Sequence, residues 1–159
     1  MNQETRTPVA AYTINILGNK SPHVLTIPGR LPGMNEYTDA CRGNAQKGNR
    51  MKQDNQMAIA WHIMAQMRRV KFQGPVFLLY RFYERDRRRD KDNVSGFAHK
   101  VIQDALVQTG TLIDDGWGYV IGHMDLYEVD KENPRIVVEF IEQEGVAPCK
   151  DRRAKSSKR

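Results

Sequence analysis

Residues 76–116 have the sequence VFLLYRFYERDRRRDKDNVSGFAHKVIQDALVQTGTLIDDG, and this stretch decides the fold. Its first eight residues form an alternating, largely apolar segment that predicts a β-strand. A densely charged segment follows at once, and behind it a helical pattern leads to the acidic pair Asp114-Asp115. The stretch therefore predicts a strand, a charged junction, a helix and an acidic loop, in that order.

The helix is the clearest element of the sequence. Its apolar residues recur at intervals of three and four, which is the spacing of one helix face. They are Val94, Phe97, Ala98, Val101, Ile102, Ala105 and Leu106. Asp92 or Asn93 is suited to cap the start of this helix, and Gly110 is suited to end it.

A second helix is predicted over about residues 52–69, which contain neither proline nor glycine. Its apolar residues recur at helical spacing and include Met57, Ile59, Ala60, Trp61, Ile63, Met64 and Met67. A methionine stripe is compatible with a groove for a partner, but core packing explains this spacing better, so we expect a substantially buried helix. Residues 28–48 contain closely spaced prolines and glycines, which predict irregular structure.

Short strands are predicted at residues 12–17, 23–27, 119–127 and 135–141; a Gly18-Asn19 turn separates the first two, and a turn near residues 131–134 joins the last two. Together with the helices, they predict an α+β single domain, in which two main helices pack on a mixed sheet with at least one antiparallel pair near its end. We expect this domain to span residues 23–144. Residues 1–22 would form an extension that could add one strand, and residues 145–159 a basic, disordered tail.

The composition is that of a soluble globular protein. Among the 159 residues, 40% are hydrophobic and 28% charged, and no apolar run approaches the roughly 20 residues that a membrane span needs. Cys41 and Cys149 form no CxxC pair or spaced metal set, which fits a reducing compartment. The polar N-terminus has no signal-peptide pattern, so we expect a cytoplasmic protein. The sequence also contains no P-loop, dinucleotide fingerprint or nucleophile triad motif.

The net charge of +6 indicates a polyanionic partner, and its distribution is more informative than its total. Residues 150–159 alone carry a net charge of +5, so the rest of the chain is nearly neutral. Within this neutral body, one cluster of cations stands out, formed by Arg81, Arg85, Arg87, Arg88, Arg89 and Lys91. We therefore expect a local basic patch rather than a basic surface.

The acids around this patch are candidates for a metal site. Asp90 and Asp92, two positions apart, would project to the same side of an extended chain. If the following helix packs back along the strand, the next loop returns to an end of the sheet, and Asp115 can join them. Hydrolysis of a phosphodiester needs a polarised phosphorus and an activated water, which Mg²⁺ or Mn²⁺ held by a few carboxylates can supply. The pattern therefore favours a metal-dependent phosphodiesterase.

The neighbouring cations suit the same chemistry. Arg87, Arg88 and Arg89 would offset the repulsion among the acids, and guanidinium groups pair with phosphate in a fork geometry. A plainer explanation is that the two aspartates are solvated, with one capping the helix and both balancing arginines. Likewise, His99 is expected to be a solvated helix residue, and Trp117 to pack in the fold rather than stack on a base.

The combined pattern resembles a known family. The run from Arg87 to Asn93, the helix ending in Gln103-Asp104-Ala105-Leu106 and the following Ile113-Asp114-Asp115 are similar in order and spacing to the signature of RusA-type Holliday-junction resolvases. The upstream segment LTIPGRLPGMN, residues 25–35, also resembles that family's N-terminal strand and proline-rich loop. The resemblance covers roughly residues 23–142.

This resemblance implies a homodimeric, Mg²⁺-dependent endonuclease that cuts opposed strands of four-way DNA junctions. It implies that Asp90, Asp92 and Asp115 bind the metal and that Arg89 helps to engage DNA; Arg87, Arg88 and Lys91 are expected to contact DNA as well. The family usually has a lysine three residues after the asparagine, but this chain has Gly96 there. Lys100, one helical turn further on, and Lys91 are the candidates to replace it, and Lys100 is the better placed. The absent lysine also supports an alternative, a DNA-junction-binding protein with weak or no catalysis.

Overall fold

A computed structural model describes residues 23–143 and residue 147. Its elements are β1 (His23–Pro28), α1 (Met34–Gly43), α2 (Ala45–Met67), β2 (Val76–Glu84), α3 (Lys91–Gln108), β3 (Val120–Val129) and β4 (Arg135–Glu142). The predicted α+β class is confirmed. The strand expected at residues 12–17 lies outside the described residues, as does almost all of the expected basic tail. No helix in the described part has the length and apolar character needed to cross a membrane.

The sheet is mixed, with the strand order β1-β4-β2-β3. Strand β2 pairs with β4 antiparallel and with β3 parallel. The strands predicted at residues 119–127 and 135–141 are therefore present, but the turn between them does not make them neighbours. The largely apolar strand β2 lies between β4 and β3 in the sheet, and its first five residues are buried.

Helix α3 packs on this sheet through the predicted face. All seven predicted residues are buried, and Phe97 and Leu106 are completely inaccessible to solvent. Burial of one such side chain contributes about 1.5–3 kcal/mol, so this face anchors α3 firmly. Gly110 ends the helix with a positive φ of 75°, as predicted. The start differs from the prediction, because the N-cap is Asp90 rather than Asp92 or Asn93.

The region predicted to be irregular, residues 28–48, is largely helical. It contains all of α1 and the start of α2, so the glycines and prolines misled the prediction. Asn44 separates the two helices with an extended backbone, and its side-chain oxygen accepts a 2.8 Å hydrogen bond from the amide of Gln46. This cap starts α2 seven residues earlier than predicted.

Helix α2 buries only part of its predicted apolar face. Ile59, Ala60, Ile63 and Met67 lie in the core, whereas Met57, Trp61 and Met64 are 51–67% exposed. The predicted burial of the methionine stripe is thus mostly wrong. Helix α2 thus has two adjacent apolar stripes. The stripe that contains Ile59 and Ile63 is buried against the rest of the fold, and the stripe that contains Met57, Trp61 and Met64 is exposed.

Candidate functional site

Two aspartates lie where β2 ends and α3 begins. Asp90 is the N-cap in an extended conformation, but its side chain makes no capping hydrogen bond. Asp92 lies in the first helical turn, so the two residues do not share one extended segment as predicted. Among residues 23–143, neither carboxylate has a lysine, arginine or histidine within the 4.0 Å of an ion pair. Two uncompensated acids therefore occupy the electropositive end of α3.

Arg89 does not neutralise these acids. Its Nη2 donates to both carboxylate oxygens of Glu84, at 2.7 and 2.8 Å, and its Nη1 donates to the backbone oxygen of Leu31 at 2.9 Å. The Arg89 and Glu84 side chains are each 11% exposed. Arg89 therefore fixes the junction to the end of β2 and to the loop before α1, and its contacts favour a positioning role over direct DNA contact.

The other predicted cations face solvent. Arg87, Arg89, Asp90 and Lys91 line a groove of about 480 Å³ together with Glu84, Asp86, Val94, Tyr127, Glu128 and Val129. The Lys91 ammonium lies 5.5 Å from the centre of the Tyr127 ring. The structure thus brings Lys91 and Arg87 to the same groove as Asp90.

A second, wider groove of about 1060 Å³ borders the same junction. Its cationic residues are Arg30, Arg85, Arg88, Arg89 and Lys131. The sequence does not reveal that Arg30 and Lys131 share a groove, because they are about a hundred positions apart. They meet because β1 pairs with β4, and the amide of Gly29 donates a 2.8 Å hydrogen bond to the oxygen of Pro134.

Asn93 joins the acidic junction to α1. Its Oδ1 accepts a 2.9 Å hydrogen bond from the amide of Asn35, so it caps the first turn of that helix. A side chain at Gly33 would collide with the Asn93 amide, so this close approach requires glycine. The loop that ends in Asn35 is therefore positioned by the residue next to Asp92.

The structure does not bring Asp115 to Asp90 and Asp92 within one chain. Helix α3 has 18 residues and is therefore about 27 Å long. The amide of Val76, at the start of β2, donates to the oxygen of Tyr119 in the loop that carries Asp115. Because β2 and β3 are parallel, this loop returns to the beginning of β2, whereas Asp90 follows its end. The predicted clustering of the three aspartates within one chain is wrong for this topological reason.

Asp115 has its own acidic surroundings. Partial burial raises the pKa of the Asp115 carboxyl, and the neighbouring Asp114 and Asp104 add repulsion. The negative charge of Asp104 is partly compensated, because the Nζ of Lys52 lies 2.6 Å from its Oδ2. Trp117, two residues after Asp115, is 91% exposed, so the predicted packing of this ring in the fold is wrong. An acid and an exposed aromatic ring therefore lie together at the far end of α3.

Comparison with known proteins bears directly on these residues. The family described as Endodeoxyribonuclease RusA matches residues 34–141, about two thirds of the chain. The chain belongs to the RusA family. No curated protein matches it. The matched segment includes Asp90, Asp92 and Asp115, and the family is one of endodeoxyribonucleases, which are enzymes that cleave DNA strands.

At the position where the RusA resemblance implies a lysine, this chain has Gly96, which packs closely against α1. A side chain at Gly96 would begin 3.1 Å from the terminal methyl group of Met34 on α1, so Met34 would have to shift to admit a lysine. Lys100 is exposed, and it lies eight residues, or about 12 Å along the helix axis, from Asp92. Lys91 is the lysine that lines the groove with Asp90.

His99 is not the solvated residue that the sequence predicted. It is half-buried, and its Nε2 lies 2.8 Å from Oδ1 of Asp125 on β3. Burial lowers the pKa of His99 against the opposing effect of Asp125. The hydroxyl of Tyr127 lies 3.2 Å from the other oxygen of Asp125 and 3.3 Å from the backbone oxygen of Lys91, and its single hydrogen can be donated to either acceptor. A polar chain thus runs from His99 to the start of α3.

Proposed function

We propose that this RusA-family chain is a Mg²⁺-dependent endonuclease that, as a homodimer, cuts opposed strands of four-way DNA junctions. The observation that carries the proposal is that Asp90, which has no ion-pair partner among the described residues, lines a groove with Arg87 and Lys91, while Asp92, also without such a partner, lies in the adjoining first turn of α3. Acids of this kind repel each other unless a cation compensates them.

The donor set fits Mg²⁺ or Mn²⁺. Carboxylate oxygens are the ligands these ions prefer, and a site with few protein ligands leaves positions for water and phosphate. Asp90 is free for this role because its carboxylate does not cap α3. When bound, the ion supplies polarisation of the scissile phosphate and an activated water.

The cationic grooves hold the DNA backbone. Arg87 and Lys91 approach the phosphate to be cut, and Arg30, Arg85 and Lys131 extend positive charge along the second groove. The amides at the start of α3 also favour a phosphate there. These contacts are to the backbone, so they orient the junction without reading its sequence.

A homodimer gives Asp115 a place in the reaction. In a twofold-symmetric dimer every contact occurs twice: if one residue of the first subunit contacts another residue of the second, the same two residues also contact each other with the subunits exchanged. An axis near the middle of α3 would bring Asp115 of one subunit towards Asp90 and Asp92 of the other. Each of the two sites would then contain acids from both chains, and two sites match two opposed strands.

A cleavage assay on a synthetic four-way junction with an immobile centre tests this proposal. With Mg²⁺ we expect paired nicks in opposed strands, and none in a linear duplex of the same arm sequence. Replacing Mg²⁺ by Ca²⁺ should retain binding and stop cutting. Specific junction binding without cutting in either Mg²⁺ or Mn²⁺ would contradict the proposal and leave the non-catalytic DNA-binding protein.

We predict that Lys91, rather than Lys100, supplies the cation near the scissile phosphate. Removing one group that stabilises charge in the transition state costs about 10²–10³ in rate. Lys91→Ala should therefore slow single-turnover cutting by about 100-fold, whereas Lys100→Ala, at the exposed position two turns away, should change it less than threefold. Gel-shift titration of both variants serves as the control for binding. The reverse order of effects would restore Lys100 as the replacement for the missing lysine.

A further inference from the structure

A second group of metal-ligating side chains lies away from Asp90 and Asp92. His99 on α3 and His123 and Asp125 on β3 each offer one ligand atom, and these atoms lie within 4.8 Å of one another. Within the described part of the chain, no other group of three His, Cys, Asp or Glu side chains has this spacing. We propose that these three residues form a separate site for Zn²⁺ or a similar first-row ion such as Co²⁺.

The fold holds the three ligands on one surface. His123 and Asp125 are two positions apart on β3, so their side chains project to the same face of the strand. They pair in register with Leu78 and Tyr80, whose side chains belong to the core beneath α3. Helix α3 covers this face and places His99 beside them, with the two imidazole rings 4.3 Å apart.

The distances suit a small ion. In a tetrahedral site with metal–ligand bonds of about 2.0–2.1 Å, the ligand atoms are separated by about 3.3 Å. His99 Nε2 and Asp125 Oδ1 are 2.8 Å apart, so a modest opening of this pair and a modest approach of His123 would complete the geometry. Two imidazoles and one carboxylate favour Zn²⁺ or Co²⁺, whereas Mg²⁺ prefers oxygen ligands alone.

The charges favour a cation at this point. The Asp125 side chain is 16% exposed, and among the described residues it forms no ion pair with a lysine or arginine. Neutral imidazole is the form of histidine that binds metals. A bound metal ion would compensate the charge of this largely buried carboxylate.

Neighbouring side chains hold two of the three proposed ligands in place, and the third ligand, His123, faces solvent. The Tyr127 hydroxyl holds the second oxygen of Asp125, and the Tyr80 ring packs 4.7 Å from His99. Such outer contacts fix the orientation of ligands. His123 is exposed, so an ion can enter there and keep a water as its fourth ligand. Occupancy would fasten α3 to β3.

Calorimetric titration of the tag-free chain with ZnCl₂, in excess Mg²⁺ to fill the carboxylate site, tests this inference independently of DNA cutting. We expect one Zn²⁺ per chain. His123→Ala should weaken its binding by at least about 100-fold, since outer contacts alone account for about 10–100-fold. At a Zn²⁺ concentration near 100 times Kd, the parent should melt roughly 5–10 °C higher, and His123→Ala should not.

Matched variants separate this site from the others. His62→Ala removes a histidine of α2 outside the cluster and should bind Zn²⁺ like the parent, as should Asp92→Asn. Asp125→Asn should lose the visible absorption band of bound Co²⁺. Equal Zn²⁺ affinity in the parent and His123→Ala, or binding lost only in Asp92→Asn, would overturn the proposal. Because His123 is exposed, its substitution should leave the fold intact, and circular dichroism checks this.

Discussion

Asp92→Asn is expected to abolish junction cutting while leaving junction binding intact or tighter. The change keeps the shape of the side chain but removes a metal ligand and a negative charge that faces phosphate. Loss of one group that stabilises developing charge costs about 10²–10³ in rate, and loss of the ion should cost at least as much. Single-turnover assays measure cutting, and gel-shift titration measures junction binding. Asp90→Asn should have the same effects on both as Asp92→Asn. Asp114→Asn is the matched control, and its effect should be mild.

Dimers that combine two different variant chains test whether Asp115 acts in the site of the partner subunit. Asp115→Asn alone should be as inactive as Asp92→Asn. If each site combines acids from two chains, a dimer of one Asp92→Asn chain and one Asp115→Asn chain contains one intact site and one site with both changes. Such dimers, co-expressed with two different tags, should nick a single strand. If they are folded yet inactive, the shared site is wrong, and normal cutting by Asp115→Asn would remove Asp115 from the site.

The largest stability effect is expected at Arg89. Arg89→Ala leaves the carboxylate of Glu84 buried without its partner, and breaking a buried ion pair from one side typically costs about 3–5 kcal/mol. For a chain of this size, that loss lowers the melting temperature by roughly 6–20 °C. Urea unfolding followed by circular dichroism gives the free energy of unfolding.

Two controls test the cause of this loss. Arg88→Ala, an adjacent change at a side chain that is 89% exposed, should alter the free energy of unfolding by less than about 0.5 kcal/mol. Adding Glu84→Gln to Arg89→Ala should recover part of the loss, because an amide removes the unpaired buried charge. A loss below about 1 kcal/mol in Arg89→Ala would show that Glu84 finds other compensation.

The elements set by local patterns were predictable from the sequence. The helical face from Val94 to Leu106 and the strand that begins at Val76 are periodic over many residues, and both are confirmed. Helix α1 was missed because its stability depends on contacts from distant residues, including the cap from Asn93. The turn before Arg135 was predicted, but the sequence does not show that β2 separates the two strands it joins.

The candidate site was only partly predictable for the same reason. Asp90 and Asp92 are adjacent to Lys91, so their proximity to a cation follows from the sequence. The position of Asp115 depends on whether β3 runs parallel to β2, which no local pattern specifies. The pairing of His99 with Asp125 likewise joins residues 26 positions apart, through strand register and helix packing.

The contacts of Asn93 and Arg89 have a consequence for synthesis of the chain. Each reaches back 58 positions, Asn93 to the amide of Asn35 and Arg89 to the oxygen of Leu31. When residues 31–35 leave the ribosome, the groups that hold them have not yet been made. The loop before α1 can therefore reach its final form only after the acidic junction has been translated.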